Sequence, residues 1–328
     1  MSTTTTTVSA VGAVAPVTRR VRAYFAPVNR VAGTPTVFDA AQTGAFALSA
    51  PPAPWVDLGW CSGFVRKSET KVVALTTGAP AVVLSQARTQ VEATVQLVFE
   101  SWGKLQLALA AGSQQTNLLR TASGAAANGS GGVAAAAVPL VAGSTATTLN
   151  VGAAAAAQFH VGDLVSVDVD YVAQTGFVGS GVSAAYVSSA ASVNGDINYV
   201  RRVSLNVGRV VAIAGGALQL GGALLAGIPA AGMQVSTLVG FVDREGGGFF
   251  QEWSGLFVMD GEQGDRVIYH YPRLQAMQGS AETVEVLTTP LERVKLVGAF
   301  RALPVKDAND GETVLCFRSY LPGAMRAV

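Results

Sequence analysis

The sequence predicts a mainly β protein with one short helix and a small all-β module set into its middle. Three observations point there. Val91, Ala93, Val95, Leu97 and Phe99 alternate with Glu92, Thr94, Gln96, Val98 and Glu100, the two-residue period of a half-buried strand. Residues 293–304 and 313–320 are strand-like and flank Asn309-Asp310-Gly311, a turn-forming triplet, which predicts a long antiparallel hairpin. Between these signals the composition shifts. Residues 121–162 carry no Asp, Glu, Lys or Arg, and short apolar runs split by glycines continue to Phe241.

Taken in order, residues 1–20 are a flexible arm rich in Thr, Ser, Ala and Val. Residues 21–54 are irregular, with turn signals at Pro27, at Gly33-Thr34-Pro35 and at Pro51-Pro52-Ala53-Pro54. An aromatic-rich strand over 55–65 follows, with a charged continuation over 66–71. After the alternating strand the period changes. Ser101 is placed to cap a helix over 102–111, Gly112 to close it in the left-handed conformation, and Trp102, Leu105 and Leu109 to share one face. The 124–132 stretch is linker-like. His160-Val161-Gly162-Asp163 is a turn into a strand over 164–171, another strand covers 200–213, and Gly215-Gly216 is a hairpin turn. Charge and aromatics return after Gly246-Gly247-Gly248. In the terminal segment Val294, Leu296, Phe300 and Ala302 share one face, opposite Lys295 and Arg301. The resulting division is 1–20 as arm, 21–120 with 240–328 as one β domain, and 121–239 as the insert.

Half of the 328 residues are hydrophobic, 13% are charged, and mean hydropathy is +0.39. Average domains carry about 25% charged residues, so disorder is excluded and much of the surface is weakly polar and suited to contact. With 22 Lys and Arg against 21 Asp and Glu, the chain lacks the basic excess of a general nucleic-acid binder. Its first residues have no positive region before an apolar stretch, so no secretory signal is expected, and two cysteines make no disulfide framework. Synthesis in a reducing cytoplasm follows. Residues 210–242 lack charge, but their glycines and Pro229 favour strands and turns over a membrane helix.

Catalytic and metal signatures were sought by residue type. Cys61 and Cys316 would need His160 or His270 beside them to act as nucleophiles, and Cys316 reads as a small buried hydrophobe instead. Zinc spacings and a P-loop are absent from the sequence. Asp163, Asp168 and Asp170 could face calcium, and Asp243, Glu245 and Glu252 could be paired carboxylates, but solvated polar surface explains both groups. Trp55, Trp60, Phe64 and Trp102 are expected in core or intersubunit packing. Arg19, Arg20 and Arg22 are expected to anchor the arm. The expectation is a non-enzyme without cofactor or metal.

One resemblance fits these pieces. Residues 56–64 with Arg66-Lys67-Ser68-Glu69-Thr70, the strand and helix over 91–110, Phe249-Phe250-Gln251-Glu252-Trp253 and the terminal segment 293–320 together resemble bacteriophage tail tube proteins, over residues 20–120 and 240–328. That resemblance implies a β-sandwich or barrel-like domain with one flanking helix. It also implies hexameric rings that stack into a conduit for viral DNA without binding it specifically. The expected location is the virion tail, after assembly in the host cytoplasm, with sheath, tip or neck proteins as further partners and no membrane insertion. On this reading the polar strand face of Glu92, Thr94, Gln96 and Glu100 would line the lumen. The insert departs from the minimal family pattern. It keeps open a tail-tip, neck or baseplate ring, or, in a different class, a β-rich carbohydrate-binding module that contacts the host surface.

Overall fold

Our computed structural model describes residues 20–28, 34–127, 129, 135–168, 206–245, 252–262, 264–289 and 291–323. Its elements in chain order begin with β1 (Val21–Pro27), α1 (Ala40–Thr43), β2 (Val56–Thr77), β3 (Val82–Phe99) and α2 (Lys104–Ala111). Next come β4 (Gln114–Leu119), β5 (Val138–Pro139), β6 (Thr148–Asn150), α3 (Ala153–Ala156), β7 (Leu164–Asp168), β8 (Val207–Ala214), β9 (Ala217–Leu220) and β10 (Gln234–Arg244). The last part contains β11 (Glu252–Asp260), β12 (Arg266–Ala276), β13 (Ala281–Thr288), β14 (Leu291–Ala302), β15 (Val305–Lys306), β16 (Thr313–Val314) and β17 (Phe317–Leu321). The protein is mainly β, as its periodicities predict. The arm at 1–19 and residues 169–205 lie outside the described residues.

The first sheet runs β13-β14-β3-β2-β1-β11-β12-β17. A short ladder pairs Leu274, Gln275 and Ala276 of β12 with Ala302, Arg301 and Phe300 of β14. It closes six strands, β14 to β12, into a barrel-like ring, which removes most of their free edges. Inside the ring lie Phe25, Leu58, Val95, Leu97, Phe99, Phe257, Tyr271, Leu274, Leu296 and Phe300, joined by Leu105 and Leu109 of α2. The alternation predicted for 91–99 holds from Ala93 onward: Ala93, Val95, Leu97 and Phe99 are buried and their neighbours turn outward, whereas Val91, past the ladder with β14, is 42% exposed. Gly298 makes room in this core, since a Cβ there would stand 2.8 Å from the Phe300 ring and 3.0 Å from that of Phe99.

The segment 34–55 covers the other face of β1, β11 and β12. Phe38 and Trp55 form a second cluster there with Tyr24, Leu256, Val258 and Ile268. Hydrogen bonds tie the segment down: Tyr24 donates to the Leu48 carbonyl at 2.8 Å, and Arg266 donates to the carbonyls of Gly44 and Phe46. This double cover explains why β1 escaped the sequence reading. Ala23, Tyr24, Phe25 and Ala26 are all fully buried, so no alternation is visible in them.

Two expectations are corrected. The helix starts at Lys104, with Gly103 at its N-cap and no side-chain cap, so Ser101 does not cap it and Trp102 stays outside it. Gly112 does close it, at φ 65°. The long terminal hairpin does not form either. Strand β14 pairs with β13 and β3, and β17 pairs with β12. Only two residue pairs, β15 with β16, bridge the predicted turn. Local turn chemistry was read correctly, but the barrel claimed the flanking strands.

The second sheet runs β4-β10-β7-β8-β9-β6, with β5 also on β10. Leu149, Val165, Val167, Val210, Leu218 and Val235 form its own core. The Gly215-Gly216 hairpin is present, with φ of 58° and 85°. Its ladder extends from Gln114 to Arg244, so it takes in strands on both sides of the 121–239 segment. Helix α2 contacts both sheets.

Candidate assembly surface

The hairpin β2–β3 belongs to the barrel only at its root. Strand β1 pairs with β2 as far as Cys61, and β14 pairs with β3 from Thr94 to Phe99. Beyond this, among the described residues, β2 and β3 pair only with each other, out to Thr77 and Val82. The distal part is a two-stranded ribbon about 40 Å long at the usual rise per residue. It carries Val72, Val73, Leu75, Val82, Val83 and Leu84, each more than half exposed. The β13–β14 hairpin repeats the pattern on a smaller scale, with Val284, Val286, Leu287 and Leu291 exposed. Among the described residues, β13 pairs only with β14, so its outer edge is open. The sequence reading missed the ribbon, although Val72-Val73-Ala74-Leu75 and Val82-Val83-Leu84 on either side of Gly78-Ala79-Pro80 are a hairpin signal.

The four residues assigned to a lumen lie at the ribbon's root. Glu92, Thr94 and Gln96 share the outward face of β3, with Glu100 just beyond its end. In isolation this face looks acidic, but the sheet mixes its charge. Lys67 and Arg301 stand on either side of Thr94, and Glu100 lies 3.6 Å from Arg293. Glu92 faces Glu69 across the ladder, a like-charge pair that is unfavourable on a ribbon by itself.

The predicted aromatics separate rather than converge. Trp55 is buried beside Phe38 and His270, whereas Phe64 packs on Phe257 and Tyr269 at the barrel core. Trp60 lies beneath the guanidinium groups of Arg20 and Arg22, and Arg22 is also paired with Asp57. Trp102 is 56% exposed, with its ring 5.9 Å from that of Phe241 in the second sheet.

Most candidate catalytic residues are engaged elsewhere, and Glu245 is exposed. Burial pushes the Cys61 thiol up to about 12 and the Cys316 thiol in the same direction, so neither is activated. His270 is held down at about 4 by burial and stays neutral among Trp55, Phe38 and Phe317. The Asp163 carboxylate accepts the His160 backbone N–H at 2.9 Å, and Glu252 is gripped by Arg273 and Gln275. Asp170 and the side chains of Asp168 and Asp243 lie outside the described residues. Among those described, no three His, Cys, Asp or Glu side chains converge as a metal site, and no helix is long and apolar enough to cross a membrane. Lys104 is fully buried at the joint of α2 with the second sheet, donating to Asn117 of β4, and burial lowers it to about 7.

No protein-family model matches the chain, and no curated protein matches it significantly.

Proposed function

We propose that this chain is a structural subunit of a bacteriophage tail tube, acting by self-assembly into stacked hexameric rings that form a genome conduit. One observation carries the reading: the β2–β3 ribbon leaves the barrel with both faces exposed and both outer edges open among the described residues. A two-stranded ribbon is marginal in water by itself, and open apolar edges favour association. Neighbouring copies would cover both. The open edge of β13 offers a second place for a neighbour to add a strand. The scarcity of charge fits a chain whose surface is largely covered after assembly.

The test is negative-stain electron microscopy of the purified full-length protein, with mass determination alongside. Tubes or stacked six-fold rings are expected. Rings that never stack would move the assignment to a neck, tip or baseplate position. Particles of single-chain mass at every concentration would overturn the assembly reading.

A further inference from the structure

Unpaired charge is concentrated in two places. A cleft of about 820 Å³ opens at the root of the ribbon, between β2, β3, the end of β14 and the 313–318 segment. Four arginines line it, Arg66, Arg88, Arg301 and Arg318, against one carboxylate, Glu92, which accepts from Gln90. Among the described residues none of the four arginines forms an ion pair. The Nε of Arg66 is buried and has no hydrogen-bond partner, and its guanidinium stands 5.9 Å over the Tyr269 ring. Arg66 also interacts with the side chains of Tyr271 and Cys316, while Arg88, Arg301 and Arg318 are exposed, and guanidinium groups without an ion pair in one concavity can each grip an oxyanion with two parallel hydrogen bonds.

The second place has the opposite sign. A cleft of about 550 Å³ at the Gly112 end of α2 is lined by Glu245 and Glu282 and by no basic residue. The C-terminal carbonyls of α2 make that site more negative still. Neither carboxylate has an ion pair or hydrogen bond among the described residues. Glu282 lies at the start of β13, the exposed edge strand, opposite Leu296 of β14.

We propose that the arginine cleft is the docking site for the Glu245 and Glu282 edge of a second copy of this chain. The proposal rests on the self-assembly reading and adds the polar register that orients it. The two clefts share no lining residue, so the contact joins two different patches, and arranged head to tail it repeats from copy to copy. Apolar ribbon contacts supply association without much direction, whereas pairing of opposite charges suppresses wrong registers. The balanced net charge gives no long-range attraction for a nucleic-acid duplex.

The test uses sedimentation velocity of the full-length protein with two charge-reversed variants, Arg301→Glu with Arg318→Glu and Glu245→Arg with Glu282→Arg. Arg88→Glu, on the exposed ribbon, serves as a further variant if either pair fails to fold. Each variant alone should assemble at a midpoint concentration at least about tenfold higher than wild type, a modest value for close charge pairs. An equal mixture of the two pairs should regain assembly, because each altered cleft then meets an edge of opposite sign. High salt should weaken wild-type assembly. If wild type assembles and the variants and salt leave it unchanged, this inference is overturned and the self-assembly reading survives. Loss without rescue on mixing overturns the assigned carboxylates. A wild type that never assembles overturns both.

Discussion

The β2–β3 hairpin is two structures in one ladder. At its root, Leu58, Cys61, Val95, Leu97 and Phe99 point into a closed barrel, and β1 and β14 pair with the outer edges. Past Lys67 the same two strands keep their mutual hydrogen bonds but, among the described residues, lose every other strand neighbour, and their valines and leucines face solvent. Backbone pairing is common to both halves, so it cannot explain why the distal half persists. What differs is cover for the side chains, which the distal half lacks among the described residues. On the proposed assembly, the contrast separates residues that stabilise the subunit from residues that stabilise a contact between subunits.

The largest effect is expected at the root. Phe300 is fully buried, with its ring 5.5 Å from that of Phe25, and Phe300→Ala should cost about 3–5 kcal/mol of subunit stability in denaturant unfolding. A loss below 1 kcal/mol would show that the barrel core is looser than its closure implies.

Lys104 probes the joint between the barrel and the second sheet. Below about pH 7 both folded and unfolded states carry its proton, and the fold bears the full cost of a buried cation. Between about 7 and the usual 10.5 the unfolded chain binds the extra proton, so stability rises with pH, by up to about 1.4 kcal/mol per unit. Unfolding measured across this range should show the rise, and Lys104→Met should flatten it. His270 has the same sign in a lower window: its contribution should be lost as pH falls from 6.5 towards about 4. A smaller packing effect is expected at Gly298, where Gly298→Ala should cost about 1–3 kcal/mol through overlap with Phe99 and Phe300.

How much of this was legible depended on cover. The β3 alternation was readable because one face of that strand is buried and the other is not. Buried on both faces, β1 looked irregular, and the ribbon, exposed on both, drew no reading as a hairpin. Gly112 and Gly215-Gly216 were readable because turns are local. The pairing of β14 with β3, about 200 residues away, and of β17 with β12, about 50 residues away, was not, since pairing over such separations leaves no local mark. For the same reason no spacing announced the arginine cleft: Arg66, Arg88, Arg301 and Arg318 come from four separate segments.

The smallest effect on the subunit, and the sharpest use of the comparison, is at the ribbon. Leu84 is 72% exposed among the described residues, so Leu84→Ser should change subunit stability by no more than about 0.5 kcal/mol. If neighbours cover the ribbon, the same substitution should raise the concentration needed for assembly, because it removes apolar area from a contact and leaves the barrel untouched. Denaturant unfolding of the single chain and sedimentation of the assembly therefore read different halves of one hairpin. A stability loss as large as that of Phe300→Ala would mean that the ribbon folds back onto its own chain. No change in either measurement would mean that its exposed valines and leucines contact nothing.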